Sequence, residues 1–227
     1  MTQASRPDRV LFTHWPLYLT IAREARDKTI VIMSDNPNAV PAEAIVAILM
    51  SALATEAFIN ELAEWTDMTT ETRASGASAI YDLLRDVANS LAEVEADKGS
   101  TALKYQITAK ILSGSTFPRG QAPFQDFRDL LSLRDLIVHL RPGDTVGPEG
   151  NVSPRARLIR NFQQVGLTRT RGQQPGLDSP GMSWLMEIQT GSMGAWAYQA
   201  GAGIISALGR MLPTGPGIMM FKQNLPA

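Results

Sequence analysis

The fold of this chain is decided by the segment Phe124–Asp144, FQDFRDLLSLRDLIVHLRPGD. Apolar residues recur in it every three or four positions, which predicts a helix over residues 124–140 that ends before a Pro-Gly pair. At about 100° per residue, four side chains share one stripe of this helix: Phe127, Leu131, Arg134 and Val138. A cation in an apolar stripe is costly unless a partner or a ligand receives it. Arg134 therefore marks a candidate functional site.

The helical period extends through most of the chain and predicts an all-α bundle of about seven helices. A first helix is expected over Trp15–Lys28, and Pro41 is expected to open a second that continues to Trp65. The stretch Thr29–Met33, TIVIM, is the only one that favours a strand. We expect an N-terminal helix and extension over 1–40, a helical domain over 41–213 and an extended or disordered tail over 214–227.

Composition excludes several classes of site and favours a cytoplasmic location. The 227 residues include no cysteine and only two histidines, His14 and His139. Disulfides, thiolate metal sites and cysteine nucleophiles are therefore excluded, and neither a metal nor another cofactor is expected. The N-terminus lacks the apolar core of a signal peptide. The uncharged runs 44–54 and 190–209 are respectively too short and too polar for a membrane span, so no membrane association is expected.

Charge is distributed unevenly along the chain. Residues 1–100 carry 8 basic and 15 acidic side chains, whereas residues 101–172 carry 11 basic and 5 acidic ones. The positive potential thus falls in the same third of the chain as Arg134 and His139, as an anionic ligand would require. The alternative is an ordinary solvated basic face. The candidate RNA-binding residues in this region are Arg141, Arg155, Arg157 and Arg160. The wider cluster either binds phosphates or caps a helix end, and it consists of Arg155, Arg157, Arg160, Arg169 and Arg171.

Two polar residues interrupt the apolar run of the second helix, SALATEAFINELAEW. Glu56 and Asn60 lie one turn apart, and they form either a solvent stripe or a pair that faces a cleft or a partner. A di-metal carboxylate site is disfavoured because the chain has no second helix with Glu-x-x-His.

Helical geometry limits what Arg134 and His139 can do together. They lie five residues apart, roughly 140° around the axis and 7.5 Å along it, so one helix cannot direct both at a single phosphate. Asp135, one turn before His139, is placed to orient the imidazole. A second copy of the helix, packed across a two-fold axis, would complete a shared cleft, so the catalytic hypothesis requires a dimer.

The pattern Arg-polar-x-x-x-His followed by Pro-Gly resembles the Arg-x4–6-His signature of the HEPN superfamily (higher eukaryotes and prokaryotes nucleotide-binding). The helix SALATEAFINELAEW is similar to the first core helix of its bacterial members, and together the two segments cover roughly residues 40–142. The resemblance implies a helical HEPN-like core, a homodimer and metal-independent RNA cleavage. His139 would then move protons, Arg134 would stabilise phosphoryl charge and Asp135 would position them.

The chain departs from the family pattern at two positions. Arg141 stands where toxins paired with a nucleotidyltransferase antitoxin often have tyrosine, and Asp135 stands where asparagine is common. Three hypotheses follow. The first is an RNA endonuclease, as a toxin or anti-phage effector with a possible antitoxin partner. The second is a non-catalytic module that binds RNA, a nucleotide or a protein partner. The third is a structural Arg134, paired in the core with Glu56 or Glu61.

Overall fold

The computed structural model describes residues 13–71, 79–139, 154–169, 184–214 and 216–226. Within these residues the chain forms helices and no strand, which confirms the predicted all-α bundle. The helices are α1 (Trp15–Asp35), α2 (Glu43–Glu71), α3 (Ala79–Ala96), α4 (Thr101–Ser113), α5 (Phe124–Val138), α6 (Pro154–Gln164), α7 (Trp184–Glu187), α8 (Gly191–Met211) and α9 (Pro216–Lys222).

Helix α2 is the centre of the bundle, because α1, α8, α3 and α5 all pack against it. One buried cluster joins its Phe58 to aromatic side chains from α1, α4 and α5: Trp15, Tyr105 and Phe127. A second cluster lies beneath α6 and the first half of α8, and includes Ile48, Leu133 and Phe162. The two clusters share α2 and α5, so the helix that carries Arg134 is fixed by both.

A glycine brings α2 and α8 into close approach. A Cβ added at Gly201 of α8 would lie 3.0 Å from the carbonyl oxygen of Ser51 in α2. Only glycine leaves room for this backbone contact, as expected where two helices approach closely. Gly201 therefore serves the packing of α8 against α2.

The strand-like interpretation of Thr29–Met33 is wrong, since α1 continues as a helix to Asp35. Thr29 is buried, and its hydroxyl donates to the carbonyl of Ala25 at 2.8 Å. The first turns of α8 pack here, with Gly191 against Ile30 and Gly194 against Thr29. Tertiary packing thus overrides the β-propensity of a short β-branched run.

The expectation of an extended or disordered tail is also wrong. Pro216–Lys222 forms α9, and its Phe221 is fully buried. The centroid of the Phe221 ring lies 5.1 Å from that of Phe58 and 5.9 Å from that of Trp15. The Pro and Gly content of the segment favours a loop. Two apolar residues in it, Ile218 and Phe221, are nevertheless spaced three apart and share one face of a helix.

One described helix, α2 over Glu43–Thr66, is long and apolar enough by composition to cross a membrane. Half of this window is buried inside the bundle, and Glu56, Asn60 and Glu61 interrupt it. Core helices of soluble proteins have the same character, so the fold is compatible with a soluble protein.

Candidate functional site

Arg134 lies where the apolar stripe of α5 leaves the core. Phe127 is fully buried and Leu131 partly buried, whereas Val138 is 55% exposed. Only 23% of the Arg134 side chain is exposed, and its Nε is buried with no hydrogen-bond partner among the described residues. The guanidinium thus sits at the boundary between core and solvent, where its apolar stem packs and its terminal nitrogens can meet charged groups.

Two carboxylates receive the Arg134 guanidinium. Nη2 forms an ion pair with Oε1 of Glu56, whose side chain is 24% exposed, and Nη1 lies 3.1 Å from Oδ1 of Asp135. The α2 and α5 segments that carry the HEPN resemblance are therefore joined at this pair. The structure also identifies Glu56 as the partner that the third hypothesis required.

His139 is the C-terminal cap of α5, and it is exposed. Its backbone N–H donates to the carbonyl of Asp135 at 3.0 Å, and its own backbone is no longer helical. Among the described residues, the Asp135 carboxylate pairs with Arg134 and not with the imidazole. The predicted side-chain contact between Asp135 and His139 is thus not made, because the Asp135 carboxylate lies against the Arg134 guanidinium. An exposed imidazole at a helix C-terminus remains free to meet a ligand.

Asn60, one turn after Glu56, meets a cation that the sequence prediction missed. Its Oδ1 accepts from Nζ of Lys104 at 2.8 Å, and the same Nζ forms an ion pair with Glu95. Lys104 itself is only 7% exposed. The available signal was that Lys104 directly precedes Tyr105 and lies one turn before Thr108, so the three share the inner face of α4. Lys104 thus holds α2, α3 and α4 together.

Glu61 is not a partner of Arg134, since it faces α1 instead. The backbone N–H of His14 donates to its Oε1 at 2.7 Å, and the His14 Nδ1 lies 3.3 Å from the same atom. Burial raises the pKa of the Glu61 carboxyl above its usual range, against smaller opposing effects from the N–H groups and the imidazole. The second histidine is therefore placed at the start of α1, away from α5.

The burial of the Glu61 carboxyl predicts that the stability of the protein depends on pH. The Glu61→Gln variant should lack this contribution to the pH dependence. The pKa of Glu61 is higher in the folded chain than in the unfolded one. The contribution of Glu61 to the free energy of unfolding is therefore full below the usual glutamate pKa of about 4.3, and it is lost as the pH rises through the pKa of the folded chain. Glutamine keeps an acceptor for His14 and does not titrate. The free energy of unfolding of the wild type, measured by urea titration, should fall relative to Glu61→Gln as pH rises.

Glu64→Gln is the matched control, because Glu64 is exposed on the same helix. A pH-dependent difference of the same size and sign in that variant would refute the role of burial at Glu61.

The structure places two of the predicted RNA-binding arginines on one exposed surface. Arg157 and Arg160 are exposed on α6, whose opposite face buries Leu158, Ile159 and Phe162 in the second cluster. Arg141 lies outside the described residues, as does the side chain of Arg155.

Arg169, in the same basic stretch, has a structural role. Its guanidinium donates to the carbonyls of Asn38, Ala39 and Gln189, so it ties three segments together.

Exposed apolar residues flank the ion pair. Leu53 precedes Glu56 by three residues on α2 and is 37% exposed, while Val138 follows Arg134 by four residues on α5. Each lies within about one helical turn of the charged pair. We call Leu53, Glu56, Arg134, Val138 and His139 the α2–α5 surface. It combines a cation, an imidazole and exposed hydrocarbon.

In the described part of the chain, no three carboxylates and imidazoles are grouped as a metal ion would need. The chemistry of the α2–α5 surface is that of an arginine and a histidine. No family model matches the chain, and neither the curated proteins nor the solved structures include a match to it.

Proposed function

We propose that this chain is a metal-independent RNA endonuclease of the HEPN type that acts as a cytoplasmic homodimer. The observation that carries the proposal is the Glu56–Arg134 ion pair. It joins the two segments on which the resemblance rests, and it leaves His139 exposed at the end of the same helix. A biological role as a toxin or anti-phage effector, with or without an antitoxin, belongs to the same proposal.

The proposed reaction uses the chain's own groups. The ribose 2′-hydroxyl attacks the adjacent phosphorus, and the bond to the 5′-oxygen breaks, leaving a cyclic phosphate and a 5′-hydroxyl. The attacking 2′-hydroxyl loses a proton and the leaving 5′-oxygen gains one. His139 accepts the first or donates the second, and water exchanges the other proton. The Arg134 guanidinium stabilises the charge that develops on the phosphoryl oxygens. Glu56 and Asp135 hold that guanidinium at the edge of the core.

A second copy of the chain supplies the other wall of the site. Arg134 turns toward α2, whereas His139 lies past the last residue of α5, so the two do not converge within one subunit. The exposed Leu53 and Val138 beside them give a second copy hydrocarbon to cover. A two-fold axis through the α2–α5 surface would set Arg134 of one subunit against His139 of the other.

A non-catalytic module that binds RNA, a nucleotide or a protein partner is the second candidate. The observation that favours it is that Arg134 already has two carboxylate partners, with which a phosphate would have to compete.

Incubation of purified protein with RNA in the presence of a metal chelator separates the two candidates. The nuclease proposal expects cleavage products with 2′,3′-cyclic phosphate ends, made by the wild type and not by Arg134→Ala or His139→Ala. Intact RNA that is bound by the wild type would favour the binding module. Overexpression in a bacterial host gives a parallel test, in which the wild type should inhibit growth more than either variant.

A further inference from the structure

A groove on another face of the bundle is not used by the proposed reaction. It runs between α1 and α8 and is closed at one side by residues 224–226. Its volume is about 710 Å³, within the range of about 300–1,000 Å³ found for ligand sites. The residues that matter for its chemistry are Thr20, Arg23, Tyr198, Gln199, Arg210 and Asn224.

The charge of this groove is positive. Arg23 and Arg210 are exposed, and the part of its lining that the structure describes includes no aspartate or glutamate. Neither arginine forms an ion pair or a hydrogen bond with another described residue. By contrast Arg26, one turn further along α1, is paired with Asp27 and lies over the ring of Tyr198 at 4.5 Å. Two guanidinium groups in one groove, both without an ion-pair partner among the described residues, attract anions.

The groove is also elongated. Helices α1 and α8 run antiparallel, since Gly191 contacts Ile30 and Arg26 covers Tyr198. Arg210 follows Tyr198 by twelve residues, roughly 18 Å along α8, so the arginines stand toward opposite ends. Between them lie the uncharged hydrogen-bonding groups of Thr20 and Gln199. A ligand with negative charges at separated points fits this arrangement better than one compact anion.

We propose that the groove between α1 and α8 binds the backbone of single-stranded RNA. A positive groove that tracks phosphates, with an aromatic side chain and amide groups along it, has the composition of single-strand binding sites. Arg23 and Arg210 contact phosphates at its two ends. These contacts hold the strand without recognising its bases, because guanidinium–phosphate contacts position a nucleic acid and do not specify its sequence.

The groove is separate from the cleavage site. Gly203 is one of the residues that line the groove. A Cβ placed on Gly203 would lie 3.5 Å from the Cβ of Pro123, the residue directly before α5. The 15 residues of α5 extend roughly 22 Å from that point toward His139. The groove thus anchors RNA at a distance from the reacting phosphate. The identity of the ligand as RNA rests on the proposed function; the charge and shape of the groove do not.

Binding of a fluorescein-labelled single-stranded RNA oligonucleotide, followed by anisotropy in the non-cleaving His139→Ala background, tests this proposal. Arg23→Ala and Arg210→Ala should each weaken binding about 5- to 10-fold. Each should also reduce the slope of log K against log salt by about 0.7, the value for one lost phosphate contact with a single strand. Arg85→Ala removes the same charge from an exposed pair on α3, outside the groove, and should leave both quantities unchanged.

Unchanged binding in the Arg23→Ala/Arg210→Ala double variant would overturn the proposal. So would an equal loss in Arg85→Ala, or competition by AMP as effective as by the unlabelled oligonucleotide. Failure of the two proposals is distinguishable. If the wild type binds RNA through these arginines without cleaving it, the nuclease proposal fails and the groove proposal stands. If the wild type cleaves RNA and the double variant binds it as tightly as the wild type, the groove proposal fails and the nuclease proposal stands.

Discussion

The His139→Ala variant is expected to cleave RNA about 10²- to 10⁴-fold more slowly than the wild type, the usual loss when a general acid or base is removed. Arg134→Ala should lose about 10²- to 10³-fold, as expected for one donor to a developing negative charge. Initial rates on a labelled RNA, in chelator and at fixed salt, measure both. His139 is exposed at the end of α5, so its removal should leave the thermal midpoint nearly unchanged.

His14→Ala is the matched control, because it removes the other histidine of the chain. It should cleave RNA at the wild-type rate, since His14 lies beside Glu61 at the start of α1. Equal activity of His139→Ala and the wild type would exclude the proposed proton transfer. A fall of several degrees in the Arg134→Ala midpoint, with cleavage retained, would instead support a purely structural ion pair with Glu56.

The Phe221→Ala variant should lose about 3–5 kcal/mol of unfolding free energy, the typical cost of truncating a buried phenylalanine. Its ring is fully buried and lies 5.1 Å from Phe58, 5.9 Å from Trp15 and 6.1 Å from Trp65 between centroids. The loss has two parts, the apolar surface returned to water and the cavity left among three aromatic rings. Urea titration followed by tryptophan fluorescence measures it.

Met219→Ala provides the comparison on the same short helix. Met219 is 54% exposed, so its truncation should change stability by less than about 0.5 kcal/mol. Similar small effects in both variants would mean that α9 does not dock on the bundle.

Most helices could be predicted because their apolar residues follow the helical period over three turns or more. Helix α5 is the best case, predicted over 124–140 and found over Phe124–Val138. The failures lie where local pattern and packing disagree. The β-branched residues of TIVIM favour a strand, yet Thr29 is buried against α8. In the tail, Gly and Pro predict a loop, yet Phe221 fills a space that exists only once α1 and α2 are packed.

The candidate site was predictable in its residues and not in its contacts. A cation at position 134 required a partner, and helical counting left both Glu56 and Glu61 as acceptors. The choice between them depends on how α2 is rotated, which is set by the packing of α1 and α8. The same packing brings Lys104 to Asn60 and His14 to Glu61. The Asp135 carboxylate was expected to contact the imidazole of His139, but it forms an ion pair with the guanidinium of Arg134 instead.

Subunit mixing tests whether the site is shared between two copies of the chain. Arg134→Ala and His139→Ala proteins, each inactive alone, are unfolded together, refolded in equal amounts and assayed for RNA cleavage. In a mixed dimer, the intact Arg134 of one subunit faces the intact His139 of the other. Half of the dimers are then mixed, and one of the two sites is intact in each mixed dimer. We therefore expect recovery of roughly a quarter of the wild-type rate. A mixture as inactive as its components, beside an active wild type refolded in the same way, would contradict it.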